Sequence, residues 1–161
     1  MVALRPAQDA DEPFLLRVYA GTREEELALV YWSAAQKAAF VAMQFAAQSA
    51  HYAQQYSGMT ADVVLVDARP AGRLLVARWP EEIRIVDISL LPQFRGRGAG
   101  SELLGRLMAE AAAAGKRLSI HVERTNRALA LYERLGFRPA AETGVHLRME
   151  WTPTPRVAQI R

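Results

Sequence analysis

The chain has no cysteine among its 161 residues. That excludes a disulfide scaffold, a thiolate metal site and a cysteine nucleophile, and it agrees with a reducing cytosol. No uninterrupted apolar run is long enough for hydrocarbon either. The most apolar long window, Ala34 to Ala53, is broken by Gln36, Lys37, Gln44, Gln48 and His51, so it predicts a water-facing helix and not a membrane span. The start, MVALRPAQDADE, has acids where a secretion signal needs an apolar core. A soluble cytoplasmic protein is therefore expected, with no membrane partner. A basic stripe is missing as well: 20 Lys and Arg are diluted by 17 Asp and Glu, and the densest run is Arg95-Gly-Arg97. The net charge of +3 thus points to a polyanionic small ligand and away from nucleic acid. Repeats and low-complexity linkers are absent too, and a chain of this length buries roughly 70 % of its unfolded surface as one domain.

What is present divides into two periods. Val2 to Arg5 predicts a short strand stopped by Pro6. Asp9 or Asp11 then caps a helix through Phe14, Leu15, Val18 and Tyr19 that ends near Gly21, and Glu24–Glu26 reads as a second, solvated helix start. Ser33 to Ser57 is helical, with Phe40, Val41, Phe45, Tyr52 and Tyr56 on one face. Beyond Ser57-Gly58 the period becomes two. Asp62–Asp67 and Arg73–Arg78 predict a hairpin around a turn at Arg69-Pro-Ala-Gly72, and after a turn at Trp79–Glu82 the strand Ile83–Leu91 completes a meander closed by Pro92. A helix is expected from Gly100 to Ala114, a strand over Leu118–Glu123, and a further helix, capped by Thr125 or Asn126, up to Gly136. Val145–Trp151 alternates as a last strand.

Between strand and helix lies Arg95-Gly-Arg-Gly-Ala-Gly100, followed by Ser101. Backbone N–H groups bare of side chains at a helix start form a cage of partial positive charge suited to phosphate. A Walker loop is excluded, because Gly100 is followed by Ser-Glu and not Lys-Ser/Thr. A dinucleotide fingerprint is excluded by the missing third glycine and by the antiparallel meander in front. Downstream stands Asn126-Arg-Ala-Leu-Ala-Leu-Tyr132-Glu-Arg-Leu-Gly136-Phe137.

The Arg/Gln-x-x-Gly-x-Gly/Ala loop and the later Leu-Tyr-Glu-x-x-Gly-Phe segment, in that order, resemble the two signatures of the GNAT superfamily of N-acetyltransferases. The resemblance covers most of Ile83–Trp151 and extends to Met1–Arg78 only in the order of helices and strands. It implies the mixed α+β GNAT acyl-CoA N-acyltransferase fold, a central, mostly antiparallel twisted sheet flanked by helices. One such domain would span 1–151, with a loose tail over 152–161. It implies acetyl-CoA as co-substrate and no metal. The amides of Arg95, Gly96, Arg97, Gly98, Ala99, Gly100 and Ser101 would hold the pyrophosphate, while Ile88, Ser89 and Leu90 would pair with the pantetheine arm. Asn126 stands one residue nearer the tyrosine than the family's asparagine, which puts Thr125 in the usual slot; either can touch pantetheine.

The implied reaction moves an acetyl group to a primary amine of a small molecule or peptide. The resemblance makes Tyr132 the acid that protonates the departing thiolate. His121, where some relatives carry a glutamate base, is the candidate base, with Glu82 acting through water as the alternative; Asp87 alternates with Ile88 and is expected on the opposite face. A GNAT-fold module that binds acyl-CoA without turnover is the other reading. The oligomeric state is not set by the pattern, although the fold often forms homodimers and the last strand is open for such an interface.

Overall fold

Seven strands form the sheet, and a computed structural model describes them within residues 1–154. They are β1 (Val2–Pro6), β2 (Thr60–Val66), β3 (Arg69–Arg78), β4 (Glu82–Leu90), β5 (Arg117–Glu123), β6 (Arg138–Thr143) and β7 (His146–Trp151). The sheet order is β1-β2-β3-β4-β5-β7-β6. β4 and β5 run parallel, while β1/β2, β2/β3, β5/β7 and β6/β7 are antiparallel. Four helices join them: α1 (Glu12–Leu27), α2 (Ala34–Gln55), α3 (Ala99–Ala114) and α4 (Leu129–Arg134). This is the mixed α+β, mostly antiparallel class that the resemblance implies. No described helix is long and apolar enough to cross a membrane. Of the expected tail, 152–154 carry no helix or strand and 155–161 lie outside the described residues.

By contacts the chain forms two compact units. One comprises 1–77 and 87–100, the other 78–86 and the described residues from 101 to 154. In the first, β1 lies at a sheet edge, where the N–H that Pro6 lacks is not needed by a neighbour. The β2–β3 turn is not at Arg69–Gly72 as the turn residues suggest. It is made by Asp67 and Ala68, both at positive φ (48° and 66°), the conformation of a two-residue hairpin turn. Pro70 and Gly72 belong to β3, where Leu65 faces Pro70 and Val64 faces Gly72, so Ala71 is an extra, bulged residue. A bulge accommodates a proline that cannot donate to the ladder. Gly72 has a different reason: a Cβ there would lie 2.1 Å from the Ser89 carbonyl oxygen, so this close approach of β4 tolerates no side chain.

Two helix expectations change for similar reasons. Asp11 does not cap α1 through its side chain; its carboxylate accepts from the Gln8 N–H and from the Arg5 guanidinium, all at 2.8 Å. Gly21 does not end α1, which continues through Glu24–Glu26 to Leu27. The glycine is buried, and a Cβ would sit 3.3 Å from the Pro92 ring, so it marks packing and not a stop. α2 starts as expected, with Ser33 and Gln36 exchanging side-chain-to-backbone hydrogen bonds of 3.1 and 2.9 Å.

In the second unit, Ile83, Ile85, Leu103, Leu104, Leu118, Phe137 and Met149 are nearly free of solvent. β4 and β5 pair from Glu82↔Arg117 to Ile85↔Ile120, and β5 then pairs with β7 along its whole length. No alternation announces β6. It is an exposed edge strand with an irregularity at Pro139/Ala141, paired only to β7.

Candidate active site

The glycine-rich loop takes its shape from the turn before it. After Leu90, the Leu91 N–H donates to the Ala71 carbonyl (2.8 Å), and Pro92–Phe94 make one 3-10 turn. Phe94 is buried beneath the turn, with the Arg69 guanidinium 5.2 Å from its ring centre. Gly96 and Gly98 follow at φ +73° and +84°, conformations that a side chain would strain. α3 begins at Ala99, so the amides of 99–101 belong to its first turn, where helical N–H groups have no intrahelical acceptor. Arg95, Gly96, Arg97, Gly98 and Ser101 are exposed, Gly100 is half-buried and Ala99 is buried. A Cβ at Gly96, Gly98 or Gly100 would meet nothing within 4 Å. Gly100 also has no positive φ, so nothing in the chain itself demands a glycine there. The loop therefore fits a diphosphate: exposed main-chain donors, a helix start, and space that only side chains would fill.

Arg95 is the exception within this segment. Its guanidinium turns back onto the chain, donating to the carbonyls of Leu90 (3.0 Å) and Gly21 (3.3 Å). Arg97 is exposed, with no hydrogen bond of its own among the described residues, and its charge acts on Asp67. The half-buried strand end Ile88–Leu90 leads directly into this turn. The Ser89 hydroxyl donates to Asp87 Oδ1 (2.7 Å), leaving the main chain of Ser89 as what the residue can offer a ligand.

Asp87 anchors a cluster that polar residues scattered over two strands and a helix do not reveal in sequence. Arg73, 6 % exposed, donates from Nε to Asp87 Oδ2 (2.9 Å), from Nη2 to the same oxygen, and from Nη2 to Gln48 Oε1 (2.9 Å). The Phe45 ring lies 5.5 Å from the Arg73 guanidinium carbon. Burial and the nearby Asp87 charge push the Tyr52 phenol up to about 12, so it is protonated at any working pH.

The second unit holds the remaining candidates. Tyr132 is 4 % exposed on α4, its ring 5.8 Å from that of Phe137. Asn126 is exposed; its Oδ1 accepts from the Ala128 N–H (2.8 Å) and its own N–H donates to the Glu123 carbonyl (2.9 Å), fixing the turn into α4. Thr125 is exposed beside it. His121 is an exposed residue of β5 facing Arg148 of β7 in register. Partial burial and the charges of Arg84 and Arg148 hold its imidazole below the ordinary value, so it is neutral at pH 7. Glu82 is 6 % exposed and fully engaged: Oε1 accepts from Arg117 (2.7 Å), and Oε2 from Arg84 and Ser119 (2.7 Å each). Burial alone would raise its pKa, but the Ser119 and Arg117 hydrogen bonds and the Arg84 charge outweigh it and bring it below the usual carboxylate value. A depression of about 360 Å³ lined by Trp79, Pro80, Glu81, Glu82 and Arg117 touches none of the loop residues. Among the described residues, no three His, Asp or Glu cluster to hold a metal.

With this geometry in place, comparison with known proteins is informative. The family model described as Acetyltransferase (GNAT) family matches residues 23–137. No curated protein matches the sequence. Among solved structures, the PaiA N-acetyltransferase from Thermoplasma acidophilum in complex with coenzyme A superposes with a TM-score of 0.71 at 14 % identity, covering 94 % of this chain and 99 % of that one. The ribosomal-protein-S18-alanine N-acetyltransferase from Escherichia coli gives 0.62 at 20 % identity, covering 100 % and 99 %. The yncA structure from Salmonella typhimurium with its cofactor acetyl-CoA gives 0.57 at 20 % identity, covering 98 % and 96 %. At these identities the likeness is one of fold.

Proposed function

Because the chain belongs to the Acetyltransferase (GNAT) family, we propose that it is an N-acetyltransferase that moves the acetyl group of acetyl-CoA directly to a primary amine of a small molecule or peptide. The observation that carries this reading is the segment 96–101, largely exposed residues opening a helix, with open space at Gly100 that nothing in the chain itself requires. The amides of Gly96–Ser101 hold the pyrophosphate, while the Arg95 N–H, expected among them, donates instead to the Pro92 carbonyl (3.2 Å); the main chain of Ile88, Ser89 and Leu90 takes the pantetheine arm with help from Asn126. Two of the solved relatives contain coenzyme A or acetyl-CoA, which supports the same co-substrate.

The bound co-substrate supplies an activated thioester. The amine nitrogen attacks its carbonyl carbon, the N–C bond forms, the C–S bond breaks, and the thiolate takes a proton. Tyr132 is the assigned donor, a buried phenol held by packing against Phe137. Such a thiolate has a parent pKa of about 8.5 and leaves faster once protonated. The attacking amine must be neutral. His121 is the candidate base, since the residue is exposed and its imidazole is held below its ordinary value by burial and by the Arg84 and Arg148 charges. Glu82 is the weaker alternative, because both its oxygens are occupied.

The test is calorimetric titration with acetyl-CoA, followed by thiol release across a panel of amines and peptides. Binding together with amine-dependent thiol release is expected. Tyr132→Phe is expected to keep the affinity for acetyl-CoA and to lower turnover by about 10²-fold or more, the usual contribution of a positioned acid. Unchanged turnover removes Tyr132 from the mechanism, and binding without turnover of any amine leaves a non-catalytic acyl-CoA module.

A further inference from the structure

The Asp87 cluster has hydrogen-bonding capacity that the chain does not use. Phe45, Gln48 and Tyr52 succeed one another at helical spacing on one face of α2. Gln48 reaches Arg73, which in turn holds Asp87. Arg73 is more than nine-tenths buried, yet its second terminal nitrogen, Nη1, has no partner among the described residues. Nor does the Tyr52 hydroxyl. Neither atom is sealed from solvent, since the one buried side-chain nitrogen or oxygen without a hydrogen bond among the described residues is Arg148 Nε. Among the described residues Asp87 Oδ1 accepts only from Ser89, so it retains a lone pair. Arg73 Nη1 and Asp87 Oδ1 thus remain open at a buried ion pair directly before the strand end Ile88–Leu90, and the Tyr52 phenol, one helical turn after Gln48, lies within reach of the charges of both.

We propose that Tyr52, Arg73 and Asp87 recognise an α-aminoacyl group, so that the acceptor amine is one that carries a carbonyl on the adjacent carbon. The proposal rests on the transferase reading above and names its substrate class. The carbonyl oxygen accepts from Tyr52 and Arg73, and an amine N–H donates to Asp87 Oδ1. A simple alkylamine or polyamine offers no oxygen and leaves both donors empty.

The chemistry of deprotonation favours the same class. At pH 7 a lysine-type amine is only about 0.04 % neutral, whereas an α-amine is roughly 10–15 % neutral. The carboxylates that might remove a proton are bound elsewhere: Glu82 by three donors and Asp87 by Arg73. An acceptor that is already partly neutral suits such a site.

Matched acceptors test the proposal: L-alaninamide against sec-butylamine, which replaces the carboxamide by ethyl, with L-alanine and an alanyl dipeptide to separate free amino acid from peptide N-terminus. Thiol release is measured across pH, so that kcat/KM is compared per neutral amine. The amide or dipeptide is expected to exceed sec-butylamine by about 10- to 100-fold, the range for a hydrogen bond to a charged donor. Tyr52→Phe is expected to erase most of that margin while acetyl-CoA affinity and melting temperature stay at wild-type values. Arg73→Lys is expected to reduce the margin as well. Equal use of the two amines, or a margin intact in Tyr52→Phe, overturns the recognition site and leaves the transferase reading standing. Thiol release with no amine at all, despite bound acetyl-CoA, overturns both.

Discussion

Replacing Gly100 by alanine separates folding from binding. The residue lies in the first turn of α3, its φ is not positive, and a Cβ would find no atom within 4 Å. The free protein therefore has no steric reason to object. It gains about 0.5 kcal/mol, since alanine loses less backbone entropy than glycine on folding. For a domain of this size that is a rise in Tm of about 1–2 °C. The ligand is affected in the opposite sense, because the methyl group occupies space through which a phosphate oxygen reaches the 99–101 amides. Loss of even one charge-assisted hydrogen bond, about 1.5–3 kcal/mol, weakens acetyl-CoA by roughly 10- to 100-fold. Thermal melts of the free protein and calorimetric titrations with acetyl-CoA and with coenzyme A measure the two effects independently. A variant that binds both ligands as tightly as the wild type refutes the phosphate assignment of the loop. A variant that melts several degrees lower refutes the claim that the glycine serves only the ligand.

Gly72→Ala is expected to behave in the contrary way, because its Cβ would fall 2.1 Å from the Ser89 oxygen and 3.0 Å from Leu90 Cα. A loss of about 3 kcal/mol lowers the urea midpoint by about 1–2 M. Glu82→Gln is expected to cost about 3 kcal/mol at pH 7, since Arg84 stays buried without its counter-charge. The folded pKa of Glu82 lies below its unfolded value of 4.5, so its contribution is complete above that value and fades as pH falls through the folded one. Urea melts at pH 7 and at pH 3 should show the gap between wild type and variant narrowing in acid. Proton NMR titration of His121 is expected to give a midpoint below 6.5, and Arg148→Gln to raise it; an unmoved midpoint removes the cationic neighbour as a cause.

The parts of the molecule legible in sequence are those where a local demand selects residue types. Gly96 and Gly98 are required by positive φ, Ser33 and Gln36 by the open end of α2, and the alternation of Leu118, Ile120 and Val122 by one buried face. The polar groups within the sheet were not legible for the opposite reason. Arg73 and Asp87 are 14 residues apart, Glu82 and Ser119 are 37 apart, and in sequence each looks like a solvated strand residue. Only the register of β4 against β5 makes Glu82 and Ser119 partners. Gly21 and Gly72 misled because their cause is a neighbouring chain, Pro92 in one case and Ser89 in the other, and a breaker and a packing glycine have the same letter. The Asp67-Ala68 turn lacks the glycine that normally announces it.

The guanidinium of Arg95 works as a lever. One arm grips the carbonyl that closes β4 at an ordinary 3.0 Å, the other a carbonyl midway along α1 at a longer, weaker 3.3 Å. Any pull on the end of that strand must drag the helix along or snap one arm. The first helix is consequently a reporter of what happens at the loop, although it contributes no residue to the proposed phosphate site.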